Sequence, residues 1–244
     1  MRLPAYLYSD FMDVGYAYTF IRVPGDTYSV DAVNYNGVSL TYSTRLGEID
    51  TSLQLYGGGE KTNPNRLMSY IRMFEHRRDY TDLYGAVLTL SYGPATFRST
   101  YLTTDIKETA LDPDNVPDFV DPPGKFNIGF YDIALMLDLQ PFYIVAEYNE
   151  YEYYTSWLGS VSYNIDQWTF HLTASAFDLD QAWESHKTYA VGLRYDINTN
   201  IAFKLQLDKF TDTGYNPFTL APNPVCRCAD GYVTVLSAGF DFVF

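Results

Sequence analysis

The chain has 244 residues, and its 30 acidic side chains outnumber its 16 basic ones, giving a net charge of −14. This acidic balance argues against a nucleic-acid partner, because phosphate binding requires a basic surface. Aromatic residues make up 18% of the sequence, which excludes a disordered chain. No apolar run approaches the length of a membrane-spanning helix, about 18 residues. Two cysteines, Cys226 and Cys228, are too few for a disulfide scaffold.

Apolar and polar residues alternate with a period of two in eleven segments after residue 35, which predicts eleven β-strands. An additional stub at residues 2–4 is typical of the end of an earlier strand. Each predicted strand has one face rich in Tyr, Phe and Leu and one face with charges and hydroxyls. In chain order the segments are 38–42, 49–55, 84–92, 97–101, 131–137, 142–148, 157–163, 168–176, 189–195, 201–208 and 236–244.

Short and long connections alternate along the chain. The short ones are 45–48, 93–95, 139–141, 165–167 and 198–200. The long ones are 58–80, 107–125, 178–187 and 214–231, with a short exception at 151–156. Strict alternation places all tight turns at one end of the sheet, as in outer-membrane β-barrels.

A soluble β-sandwich also alternates, so alternation alone leaves two architectures open. Charges occur in the middle of several strands, and aromatic residues cluster at strand ends, where the interfacial girdles of a membrane barrel lie. These end positions are Tyr92, Phe97, Phe142, Tyr163, Trp168, Tyr195 and Phe244. We therefore expect an all-β protein, an antiparallel transmembrane β-barrel with about 11–12 strands in this chain, as one domain over 1–244.

The last eight residues run Ser-Ala-Gly-Phe-Asp-Phe-Val-Phe. This pattern resembles the C-terminal signal of outer-membrane barrels, in which a polar residue, a glycine, a hydrophobic residue and a terminal aromatic have fixed spacing. The positions that match are Ser237, Gly239, Phe242 and Phe244. The resemblance implies recognition by the barrel-assembly machinery and location in the outer membrane of a Gram-negative cell.

The opening stretch RLPAYLYSDFMDVGYAYTFIRVPGDTYS resembles the part of Gram-negative general porins where a strand leads into a loop folded into the pore. The resemblance implies a constriction loop within 5–30, a homotrimer without cofactor or metal, and a 16-stranded barrel. This chain would supply the C-terminal portion of that barrel, since a signal peptide and about five early strands are not seen. An ordinary aromatic-rich loop remains the alternative. The implied constriction residues are Asp10, Asp13, Tyr16, Tyr18 and Arg22.

Mixed charges and hydroxyls on the polar faces suit the passage of ions and small hydrophilic solutes, and loop acids opposite wall cations would create a transverse field. We expect the pore lining to include Arg45, Arg98, Glu147, Arg194, Lys204 and Asp241. The three histidines form no catalytic constellation, since His171 only continues a line with Thr173 and Ser175; we therefore expect no enzyme. The alternatives are a non-porin barrel (an adhesin, a structural barrel or a barrel enzyme) and a soluble carbohydrate-binding β-sandwich.

Overall fold

The structure is a computed structural model, and the residues that it describes cover most of the chain between positions 11 and 243. These residues are 11, 14–27, 34–66, 69, 74–112, 114, 124–179, 185–212 and 232–243. The predicted stub 2–4, both cysteines and the terminal Phe244 lie outside them.

A single antiparallel sheet of eleven strands dominates the fold, and each strand pairs with its neighbours in sequence. The predicted all-β class and the eleven strands are confirmed. Two single-turn 3₁₀ helices, Gly15–Ala17 and Gly25–Thr27, precede the sheet. The strands are β1 (Asn36–Leu46), β2 (Ile49–Thr62), β3 (His76–Tyr92), β4 (Ala95–Ala110), β5 (Lys125–Leu139), β6 (Phe142–Tyr151), β7 (Tyr154–Ile165), β8 (Trp168–Leu179), β9 (Ser185–Asn198), β10 (Ile201–Asp212) and β11 (Tyr232–Phe242).

The sheet is open, because β1 and β11 form its two edges. With eleven strands in strict antiparallel order, β1 and β11 run in the same direction. They therefore cannot join each other by antiparallel pairing. Among the described residues, no helix is long and apolar enough to cross a membrane.

The predicted alternation of connections is confirmed. Two-residue turns join β1 to β2, β3 to β4, β5 to β6, β7 to β8 and β9 to β10, all at one end of the sheet. Gly47 and Asp166 in these turns have φ angles of 65° and 51°, in the left-handed region that tight hairpins favour. At the other end, 152–153 is again a two-residue turn, and the other connections span 63–75, 111–124, 180–184 and 213–231.

The two faces of the sheet have opposite character and opposite exposure. We call one the exposed face; it carries large apolar side chains that are open to the surroundings, such as Leu40 at 71% and Leu236 at 67% exposure. The other, the covered face, carries polar side chains that are buried, such as Asp132 at 0% and Gln206 at 1%. A water-soluble sheet has the reverse arrangement, with its polar face open and its apolar face buried.

An apolar cluster also occupies the covered face toward the end of the sheet with the long connections. Its buried side chains come from the region just before β1 and from β2 to β8. They are Tyr35, Tyr56, Tyr80, Leu83, Val87, Leu102, Ile106, Ile128, Phe130, Tyr151, Tyr154 and Phe177. We call this group the upper cluster. The covered face is therefore apolar at this end and polar toward the two-residue turns.

A glycine makes room for a buried histidine in the middle of the covered face. Gly192 in β9 lies directly opposite His171 in β8, whose side chain is 1% exposed. A Cβ atom at Gly192 would lie 2.3 Å from Cε1 of His171 and 2.9 Å from the carbonyl oxygen of Leu205. The imidazole therefore occupies the space that any other residue at 192 would need.

We expect Gly192→Ala to destabilise the folded protein by about 1–3 kcal/mol, because the added methyl overlaps the His171 ring. Urea unfolding in detergent, followed by far-UV circular dichroism, measures the change. Gly159→Ala is the matched control, since a Cβ there meets nothing within 4 Å. Equal midpoints for the two variants would contradict the prediction.

Candidate functional site

One segment from the N-terminal region, residues 14–27, lies against the covered face of β5 to β10; we call it the inward segment. Its Phe20 is buried at 4% exposure and packs with Ala134, Val145 and Leu158, which belong to β5, β6 and β7. Further along, Asp26 contacts β8 and β9. The segment therefore spans the width of six strands.

Two basic side chains of the covered face hold backbone carbonyl groups of the inward segment. The ammonium of Lys204 donates to the carbonyl oxygens of Gly15 at 3.0 Å and Phe20 at 3.1 Å. The guanidinium of Arg194 donates to the carbonyl oxygens of Tyr16 and Tyr18. These bonds satisfy carbonyl groups of a segment that has no ladder partner of its own.

The next two residues on the same face of β10 continue these contacts. Gln206 accepts a hydrogen bond from the amide N–H of Ile21 at 2.8 Å and donates to the carbonyl oxygen of Arg22 at 3.1 Å. Asp208 pairs with the Arg22 guanidinium at 2.7 Å. Alternate residues of a strand are about 7 Å apart, so Lys204, Gln206 and Asp208 meet successive groups of the segment. We call these three residues the β10 row.

Asp26 anchors the other end of the inward segment in a fully buried position. Its carboxylate accepts hydrogen bonds from the Ser175 hydroxyl at 2.6 Å and from Nδ1 of His186 at 2.5 Å. Burial by itself raises the pKa of Asp26. The hydrogen bonds from His186, Ser175 and Thr188, together with the charge of His186, outweigh this effect and hold the pKa below its ordinary value of 3.8. Asp26 is therefore a carboxylate at neutral pH.

His171 lies beneath Phe20, with the two ring centroids 4.9 Å apart in an edge-on arrangement. Neither ring nitrogen of His171 has a hydrogen-bond partner within the described part of the chain. Thr173 and Ser175 follow it on the same face of β8, as the sequence predicts. Ser175 binds Asp26, so this line of residues contacts the inward segment at two positions, His171 and Ser175.

Three of the five predicted constriction residues lie within the described part of the chain. Asp10 and Asp13 lie outside the described residues. Tyr16 and Tyr18 contribute carbonyl groups to Arg194, and Arg22 pairs with Asp208. Within residues 14–27, the pairs of ionisable groups are therefore Arg22 with Asp208 of β10 and Asp26 with His186 of β9.

All six predicted lining residues lie on the covered face by strand register. Arg194, Lys204 and Asp241 lie together, with Lys204 paired to Asp241 at 2.6 Å. Arg98 and Glu147 lie on β4 and β6 on either side of Ala134. Arg45 is remote from the inward segment, is 68% exposed, and faces Asp50 at 3.5 Å.

For the predicted assembly signal, Ser237 and Gly239 lie on the covered face and Phe242 on the exposed one.

The sequence interpretation missed Gln206, Asp208 and Asp26 as binding partners. A signal for the first two was present, because they continue the face of Lys204 at spacings of two and four. Asp26 had no comparable signal; it follows Pro24 and Gly25 in an ordinary turn sequence. Its partners Ser175 and His186 are 149 and 160 residues away in the chain.

Across the described residues, no group of three or more His, Cys, Asp or Glu side chains is arranged to hold a metal ion. No protein-family model matches the chain, and no curated protein is significantly similar to it in sequence. The site brings together hydrogen-bond donors and acceptors and four close pairs of ionisable groups. These pairs are Arg22–Asp208, His186–Asp26, Arg194–Asp196 and Lys204–Asp241.

We expect Gln206→Leu to loosen the inward segment, because leucine has a similar volume but cannot bind the backbone of Ile21 and Arg22. Hydrogen exchange of the Ile21 amide should become about tenfold faster or more. Mass spectrometry of the peptide covering 14–27 measures this rate. Gln54→Leu, which removes only a 3.4 Å contact with Ser39, should leave the rate unchanged. An unchanged rate in Gln206→Leu would contradict this account.

We expect Asp26→Asn to lower the free energy of unfolding by about 1–3 kcal/mol at pH 5, where the native carboxylate is ionised. Because the folded pKa is lower than the ordinary value, this stabilisation is present above pH 3.8 and is lost as the pH falls through the folded pKa. The difference between wild type and variant should therefore shrink below pH 3.8. Urea unfolding at several pH values measures it, and a constant difference down to pH 2 would be inconsistent.

Proposed function

We propose that this chain forms the constriction and a part of the wall of a water-filled β-barrel in the outer membrane of a Gram-negative cell. The barrel is a passive pore for ions and small hydrophilic solutes. The observation that carries the proposal is the reversed orientation of the strands, with apolar side chains open to the surroundings and polar side chains covered. Lipid stabilises such an exposed face, whereas water does not.

The height of the apolar band supports a membrane environment. On β9 the apolar side chains of the exposed face run from Tyr189 through Val191, Leu193 and Tyr195 to Ile197. These eight residue steps span about 26 Å, and a tilt of about 40° reduces this to a height of about 20 Å. That value approaches the apolar band of outer-membrane barrels, which is about 25 Å tall.

Two rows of aromatic side chains border this band and support the same environment. The row toward the long connections is Tyr84, Tyr101, Tyr131, Tyr148, Trp157 and Tyr189. In the row toward the two-residue turns, rings contact each other across strands, with centroids 5.1 Å apart for Phe142 and Tyr163 and 4.4 Å apart for Trp168 and Tyr195. Amphipathic rings are favoured at the level of lipid headgroups.

The edge strands β1 and β11 limit the number of strands that the complete barrel can have. Antiparallel closure between β1 and β11 requires an odd number of further strands, and five would give the sixteen of the general porins that the sequence resembles. The assembled form in this proposal is a homotrimer. The end of β11, with Ser237, Gly239 and Phe242, presents the signal to the barrel-assembly machinery.

The inward segment acts as the constriction in this proposal. It lies across the covered face, where Lys204, Arg194 and Gln206 bind its backbone and Asp208 binds the side chain of Arg22. The carboxylates of Asp138, Asp196 and Asp241 remain partly exposed beside it. Water and small polar solutes interact favourably with such a surface, and lipophilic solutes do not.

A second candidate function is supported by the upper cluster, whose twelve buried apolar and aromatic side chains occupy the covered face near the long connections. A barrel whose interior is filled at that level would not conduct. It would serve as an adhesin or as a structural barrel instead. Conductance separates this candidate from the pore.

We expect the protein with a complete wall, that is, this chain together with the further strands that close the barrel, to produce discrete conductance steps when it is refolded in detergent and added to a planar lipid bilayer. Permeant ions carry the measured current. Because the inward segment narrows the lumen in this proposal, the conductance of each step should be small. Insertion without any steps would favour the closed barrel of the second candidate. Failure to insert would contradict the membrane location itself.

Substitutions at two adjacent positions test which face of the sheet contacts lipid. Leu53 lies on the exposed face of β2 and Ser52 on the covered face. Leu53→Arg should reduce insertion sharply, because arginine near the bilayer midplane costs about 2–4 kcal/mol. Ser52→Arg places the same charge in the aqueous interior and should insert normally. Equal insertion of both variants would contradict the assigned orientation.

A further inference from the structure

A cavity of about 460 Å³ lies between the inward segment and the covered face, near the two-residue turns. One side is formed by residues 14 and 17–20 of the segment, and the other by β5 to β9. Its volume is in the range of small-molecule sites, about 300–1,000 Å³. The cavity is therefore large enough for a solute of one or two sugar rings.

The aromatic side chains of the cavity lie on both of its sides. Tyr18 and Phe20 come from the inward segment, with ring centroids 6.2 Å apart and an interplanar angle of 26°. Tyr143 on β6 contributes a third ring from the sheet. Aromatic faces attract the weakly positive C–H groups of a polyhydroxylated ring, and they also bury its apolar patches.

The polar groups of the cavity include both acceptors and donors. Asp138 and Asp196 provide carboxylates, while Arg194 and Asn164 provide N–H groups. Asp196 accepts from Nε of Arg194 at 2.7 Å, so the guanidinium is already neutralised within the site. Ser162 and Thr169 add hydroxyls, which both donate and accept.

This mixture distinguishes between classes of solute. An ammonium solute only donates hydrogen bonds, so the N–H groups of the site would stay unused. An anionic solute only accepts them, and two carboxylates would repel it. A neutral solute with adjacent hydroxyls uses donors and acceptors together, because each hydroxyl does both.

We propose that this cavity is a binding site for a neutral saccharide of one or two rings. The rings of Tyr18 and Tyr143 contact the sugar faces, and Asp138, Asn164 and Arg194 bind its hydroxyls. The buried ring of Phe20 supports Tyr18 from the side of the sheet. The assignment rests on the proposed pore, because the solute reaches the cavity through the lumen. It makes that pore selective for sugars over charged solutes of equal size.

Maltose and glucose are the probes, and the full chain in detergent is titrated with each by isothermal calorimetry. We expect saturable binding of maltose or glucose, weakened about tenfold or more by Asp138→Asn and by Tyr18→Ala. Asp50→Asn is the matched control, since Asp50 lies on the same face but outside the cavity. It should bind as the wild type does. Far-UV circular dichroism verifies that each variant has folded.

Choline chloride and sodium glutarate are titrated in parallel. Binding of choline or glutarate in place of the sugars would overturn the proposal, as would equal sugar binding by wild type, Asp138→Asn and Tyr18→Ala. Absence of sugar binding in a protein that conducts would overturn the saccharide site and leave the pore intact. Sugar binding by a protein that does not conduct would leave the site intact and overturn the pore.

Discussion

The orientation of the side chains on each strand is the constraint on which the rest of the structure depends. Because the period is two, a slip of one residue in any pairing would move every apolar side chain of that strand to the other face. Ten successive pairings maintain the same orientation from β1 to β11. Irregularities in register occur near the strand ends at Gly58/Glu60 and Ile201/Ala202, and within β3 at Thr81/Tyr84.

The position of the inward segment follows from this orientation. A sheet whose covered face is polar needs partners for its buried groups, because an unsatisfied buried polar group costs about 1–3 kcal/mol. The backbone of residues 15–22 provides those partners for Lys204, Gln206 and Arg194, and the same bonds satisfy the segment. At these positions, groups of the sheet and groups of the segment thus satisfy each other's hydrogen bonding.

The same contacts change the role of residues that the sequence placed on the pore wall. Lys204 is 3% exposed at its side chain, and its ammonium is surrounded by Asp241 and two carbonyl groups. In the proposed pore it therefore positions the constriction rather than meeting solutes. The partly exposed carboxylates of Asp138, Asp196 and Asp241 face the lumen more directly. In the proposed pore these carboxylates disfavour anions.

Part of the site could be predicted from the sequence. The faces of β9, β10 and β11 were assigned from alternation alone, and the strand register places Arg194, Lys204 and Asp241 on one face. The contact of Asp26 with His186 was not predictable, because it depends on the path of a segment 160 residues away. Nor did any pattern indicate that Gly192 leaves space for the ring of His171.

The sequence by itself determined the eleven strands, their two faces and the alternation of tight and long connections. These are local properties, since side-chain periodicity and turn residues act over a few positions. Only the tertiary structure decided that β1 and β11 are the two edges among the described strands and that residues 14–27 lie on β5 to β10. Those features depend on contacts between distant parts of the chain, which strand periodicity does not encode.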